Sequence, residues 1–151
     1  MKTLFIYYSH SGNGDVVAEY LRERGVEIRK VDPKKTLPKS FFGAIMKGGF
    51  LATIGYKAQL IEYDKSVEGY DHVIIGSPVW NGRFSCPINA LLAELDLRDT
   101  RISFLLYAGG GTAPKAVKRI SVEYPSANVV VMKEPKKCPD ELEKAEILLR
   151  L

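Results

Sequence analysis

The residues with chemistry to offer fall in three short stretches. Ser9, His10, Ser11, Gly12, Asn13 and Gly14 make a turn rich in hydroxyls and glycine. It lies between an apolar run, Leu4, Phe5, Ile6, Tyr7 and Tyr8, and a helical pattern that Asp15 opens with Val16, Val17, Tyr20 and Leu21. A strand, a tight polar loop and a helix N-terminus together form an anion site. Loop N–H groups and the positive end of the helix dipole converge on a phosphate, and serine hydroxyls add donors without charge. The second stretch, Gly76, Ser77, Pro78, Val79, Trp80, Asn81 and Gly82, follows the apolar run Val73, Ile74 and Ile75. The third, Ala108, Gly109, Gly110 and Gly111, follows an apolar run over 102–107, where a glycine triplet allows close backbone approach to a planar ligand.

Other chemistries find no support. His10 and His72 lack the partners of a hydrolytic triad, and no Gly-x-Ser-x-Gly elbow occurs. Metal-ligand spacings and a phosphate-binding G-x-x-x-x-G-K-[ST] loop are absent as well. No side chain is therefore expected to act as acid, base or metal ligand. Cys86 and Cys138 have no framework spacing and read as reduced thiols, with Cys86 a small buried one.

The elements that must position these stretches follow from periodicity. Short apolar runs too brief for helices read as strands buried on both faces: 4–8, 73–75, 102–107 and 128–132. Val26, Ile28 and Val31 alternate with charged residues, as in a half-buried strand near a sheet edge. Helical spacing covers 15–24, stopped by Gly25, then 84–95, 115–123 and a closing stretch over 139–151. Residues 40–59 read as one amphipathic helix broken at Gly48-Gly49, or as two short ones. Strands alternating with helices predict a three-layer α/β/α sandwich around a five-stranded parallel sheet, as a single domain over 1–151. Gly76 is read as the residue that turns the chain at the end of its strand.

Two motifs carry a family resemblance. Ser9-His10-Ser11-Gly12-Asn13 resembles the phosphate loop of flavodoxin-like proteins, Ser/Thr-x-Thr/Ser-Gly-x-Thr, with Gly14 standing where that pattern has Thr. Gly76-Ser77-Pro78-Val79-Trp80-Asn81-Gly82 is similar to the flavin-ring loop of short FMN-binding members, Gly-Ser-Pro-x-Trp-x-Gly. The resemblance implies the strand order 2-1-3-4-5, which sets the first two loops side by side across a crevice. It implies FMN as cofactor, its phosphate held at residues 9–14 and its isoalloxazine lined by Pro78, Val79, Trp80, Asn81 and Gly82. Trp80 offers a wide π face for stacking. The loop after the fourth strand forms the other side of the pocket through Ala108, Gly109, Gly110 and Gly111, with Tyr107 the nearest aromatic.

The resemblance implies electron transfer through bound FMN. The alternatives are an FMN-dependent NAD(P)H:quinone or flavin-type reductase and a flavin-free binding module that kept the fold. The chain carries 22 Lys and Arg against 18 Asp and Glu, a mild +4 interspersed along its length, which disfavours nucleic-acid binding and differs from the acidic balance of typical electron-carrying flavodoxins. No apolar stretch is long enough to span a membrane and no signal peptide opens the chain, so a cytoplasmic protein is expected. The expected partners are a redox protein or a small acceptor, with the chain a monomer or homodimer.

Overall fold

The structure, a computed structural model, describes residues 1–36 and 57–151. In chain order the elements are β1 (Thr3–Tyr7), α1 (Asn13–Arg22), β2 (Glu27–Lys30), β3 (His72–Trp80), β4 (Arg83–Phe84), α2 (Cys86–Glu94), β5 (Arg101–Ala108), α3 (Pro114–Glu123) and β6 (Asn128–Lys133). A 3-10 segment (Pro139–Ala145) and the short helix α4 (Glu146–Leu149) close the chain.

Five strands pair in parallel in the order β2-β1-β3-β5-β6, and β4 pairs antiparallel with β3 alone. Without the two-residue β4 this is the expected order 2-1-3-4-5. The winding reverses between β1 and β3, whose register runs from Thr3↔His72 to Tyr7↔Gly76. A crevice for a ligand opens outside the carboxyl ends of the strands at such a reversal.

Strand alternation builds the three layers. Leu4, Ile6, Tyr8, Val73, Ile75, Phe104 and Leu106 pack on one face against Ile88, Leu91, Ala116 and Ile120 of α2 and α3. Phe5, Tyr7, Ile74, Leu105 and Tyr107 pack on the other against Val17, Ala18 and Leu21 of α1 and Ala145 and Leu148 of the closing segment. Each fully buried aliphatic or Phe side chain contributes about 1.5–3 kcal/mol of apolar transfer energy. With central strands covered on both faces, variation is left to the loops at their ends.

Three expectations change. The strand over 73–75 extends to Trp80, with Gly76 inside it rather than at a turn. A Cβ at Gly76 would run into the Phe5 ring and Tyr7 Cβ, so glycine is needed there for strand-to-side-chain packing. The closing helix is a 3-10 segment followed by only four α-helical residues, because Pro139 and the alternating Asp140, Glu141, Glu143 and Lys144 leave little apolar face to bury. The broken helix expected over 40–59 lies outside the described residues, apart from 57–59. Among the described residues no helix is long and apolar enough to cross a membrane.

Candidate functional site

The loop after β1 is shaped by Ser9. Its buried Oγ accepts the N–H groups of Gly12 and Gly14, at 3.2 and 3.0 Å, drawing the turn into a closed curl. Gly12 takes a left-handed φ of 96°, which glycine supplies without steric cost, and its carbonyl accepts from the Val16 N–H at 3.2 Å to begin α1. Gly12 offers α1 no side-chain cap and Ser9 takes only the Gly14 N–H, so the remaining first-turn N–H groups and the helix dipole are directed at whatever lies before the helix. The Ser11 hydroxyl accepts from Asn13 Nδ2 at 3.2 Å and keeps its own proton for a further acceptor. Asp15, in the same first turn, is held by the Tyr7 hydroxyl at 2.8 Å and the Lys30 ammonium at 2.9 Å.

The second stretch is a β-hairpin. Asn81 and Gly82 both have positive φ, 51° and 73°, and link Trp80 to its cross-strand partner Arg83. Two successive positive φ values are what a two-residue type I′ hairpin requires, and Asn-Gly meets that need at least cost. Ser77 is buried beneath it: its hydroxyl donates to the Pro78 carbonyl at 2.8 Å and accepts from the Ser85 N–H at 3.3 Å. The hairpin tip is tied to α3, whose Ala116 N–H donates to the Gly82 carbonyl at 2.8 Å. Trp80 is half-buried, and Tyr8 and His10 meet it edge-on at centroid distances of 5.9 and 6.2 Å. The first two stretches thus share an aromatic contact.

In the third stretch, Gly109 and Gly110 are exposed, and a Cβ on either would meet nothing within 4 Å. Gly111 turns back with φ 74° and donates its N–H to the Ala108 carbonyl at 3.1 Å. That carbonyl also accepts from Glu134 at 3.3 Å. Tyr107 is not at the open edge. It is buried under the first loop, among the residues packed on α1, and its hydroxyl donates to the Tyr8 carbonyl.

A fourth loop, after β6, completes the edge and was missed in the sequence. The Lys136 N–H donates to Asn13 Oδ1 at 3.0 Å, and its ammonium donates to the Ser11 carbonyl at 3.2 Å. In the sequence Lys136 is one of 22 interspersed Lys and Arg residues and is not set apart from the others. Its partners stand more than 120 residues earlier, so no local signal marks it.

Residues 9–14, 77–82 and 107–111, singled out in the sequence, all lie on these loops and strand ends, with Ser77 and Tyr107 as buried supports. His72 is at the opposite end of β3, buried, with Nε2 2.7 Å from Ser103 Oγ. Cys86 is buried at the start of α2, and desolvation pushes its thiol up to about 11, so it is a thiol rather than a nucleophilic thiolate at neutral pH. Among the described residues no cluster of His, Cys, Asp and Glu could hold a metal. A groove of about 860 Å³ lies at the other edge of the sheet, between Glu94–Arg101 and Glu123–Ala127, away from every loop named here.

A model of the NADPH-dependent FMN reductase family matches residues 1–134. Among solved structures, a candidate flavoprotein from Bacteroides eggerthii superposes with a TM-score of 0.70 at 16% identity, over 98% of both chains. A flavoprotein from Lactobacillus acidophilus in complex with FMN gives 0.65 at 23% identity, over 92% of this chain and 97% of that one. The apo form of the flavoprotein from the same organism gives 0.56 at 26% identity, over 87% and 90%. The search of curated proteins returned no match.

Proposed function

The chain belongs to the NADPH-dependent FMN reductase family, and from that premise we propose that FMN is held at the carboxyl edge of the sheet by the four loops just described. The protein is a flavodoxin-like, FMN-binding redox protein. The observation that carries the placement is the convergence of a helix N-terminus and an aromatic-walled hairpin on one crevice.

The residues present fit the cofactor. Ser11 and the backbone N–H groups of His10, Ser11 and Asn13 are donors of the kind a phosphate needs, while those of Gly12 and Gly14 shape the loop through Ser9. Trp80 supplies a stacking face, and Pro78, Val79, Asn81 and Gly82 supply the hairpin backbone for the ring's polar edge. Ala108, Gly109, Gly110 and Gly111 form the facing wall, where the absence of side chains at 109 and 110 leaves room for a planar group. Ser9, Ser77 and Tyr107 hold these loops in place from below. Bound FMN supplies the electron chemistry, and the chain binds it, orients it and excludes water from part of it.

The family match favours NADPH as electron donor, with a redox protein or a small acceptor taking the electrons. The free Cys86 and Cys138 accord with a cytoplasmic setting.

The test is an absorbance spectrum of the protein loaded with FMN and then desalted. Retained flavin bands are expected, and a colourless protein would overturn the reading. Anaerobic addition of NADPH should then bleach those bands. Flavin that NADPH leaves oxidised, yet dithionite reduces, would mark an electron carrier served by a protein donor.

A further inference from the structure

We propose that Lys136 is the charged member of this site and meets the phosphate of FMN, an inference that rests on the FMN reading above. The hydroxyls around the first loop are partly committed. Ser9 Oγ has both acceptor sites filled by the Gly12 and Gly14 N–H groups, and the Tyr107 hydroxyl donates to the Tyr8 carbonyl. Position 14 cannot supply another, because Tyr107, Tyr7 and Ser9 fill the space a side chain would need. The hydroxyl protons of Ser9 and Ser11 and the backbone N–H groups of His10, Ser11 and Asn13 remain, and none of them carries a formal charge.

Lys136 supplies the charge. Its ammonium reaches the Ser11 carbonyl at 3.2 Å, and a Cβ added at Gly12 would lie 3.3 Å from it. Two neighbouring cations are engaged elsewhere: Lys137 pairs with Glu134, and Lys30 holds Asp15. A phosphate monoester carries close to two negative charges at neutral pH. An ammonium within hydrogen-bond reach strengthens its binding, and at an exposed site the contribution is screened by salt. The backbone of Lys136 is fixed independently by its N–H bond to Asn13 Oδ1, so replacing the side chain leaves the loop anchored.

Titrating the apoprotein with FMN and with riboflavin, which lacks the phosphate, tests this directly. Lys136→Gln should weaken FMN about tenfold while leaving riboflavin unchanged, and the salt dependence of FMN binding should flatten. Lys136→Arg should stay near wild type, as should Lys137→Gln. Wild-type binding of FMN with no change in Lys136→Gln would overturn the proposal and leave the FMN reading intact. Equal weakening of FMN and riboflavin would also overturn it, since that marks a structural role. A wild-type protein that binds neither flavin would remove the FMN reading and this proposal together.

Discussion

The hydroxyl of Tyr107 stands where a side chain on Gly14 would have to go. A Cβ added at Gly14 would lie 2.5 Å from Tyr107 Oη, with Tyr7 Cδ2 at 2.8 Å and Ser9 Cβ at 2.9 Å. The same hydroxyl donates to the Tyr8 carbonyl, so one phenol both supports the loop after β1 and forbids a larger residue inside it. The threonine of the flavodoxin-like pattern is therefore excluded by β5, two strands away in the sheet.

Gly14→Ala should destabilise the protein by about 1–3 kcal/mol through overpacking, read as a lower urea midpoint at unchanged m-value. Tyr107→Phe alone should cost about 1 kcal/mol, because the Tyr8 carbonyl loses its donor. The two changes should be less than additive, since removing the hydroxyl vacates the nearest clash. Strict additivity would show that the ring rather than the hydroxyl fills the space.

Trp80→Ala should raise the dissociation constants for FMN and riboflavin alike, by on the order of 1–3 kcal/mol. Equal loss for both ligands separates ring stacking from the phosphate contact assigned to Lys136. If Trp80 only packs against Tyr8 and His10, the melting temperature will fall and both constants will stay where they are.

Stability should decline in mild acid because of His72. Desolvation, with the nearby Arg101 charge as a smaller cause, pushes its pKa from 6.5 down to about 4. Above pH 6.5 both folded and unfolded His72 are neutral, and the native state is at full strength. Between 6.5 and about 4 the unfolded chain takes up a proton that the folded one refuses. Stability then drops as pH falls, by up to about 3 kcal/mol. Asp96, Glu141 and Glu146 have lowered pKa values, so their contribution is lost at lower pH than this. Urea unfolding from pH 7.5 to 4.5 should show a slope that His72→Asn removes, and an unaltered slope would assign it to other groups.

Much of the candidate site was legible because its signals are local. Apolar runs such as 73–75 and 102–107 end in Gly-Ser-Pro or Gly-Gly-Gly, and strands buried on both faces must end in loops on one edge. The hairpin was not read as one, although Asn81-Gly82 is a hairpin signal, because an extension of β3 through Pro78 ran against proline's usual place in a sheet. Pro78 is tolerated there because its ladder partner Tyr107 sits at the end of the pairing with β5. The closing segment was misjudged because acidic and basic residues at helical spacing look alike whether the turn is 3-10 or α.

Sequence alone determined the layer architecture, the strand order implied by the family motifs and the loops that bear the chemistry. The layers and loops depend on hydrophobic period and turn residues within windows of about ten positions, and the strand order came with the family resemblance. Tertiary structure alone decided that Tyr107 supports the first loop from below, that Gly14 must be glycine, and that Lys136 stands beside Ser11 and Gly12. Those relations join residues about ninety to one hundred and twenty-five positions apart, and only the pairing of β1 with β3, β3 with β5 and β5 with β6 brings them within reach.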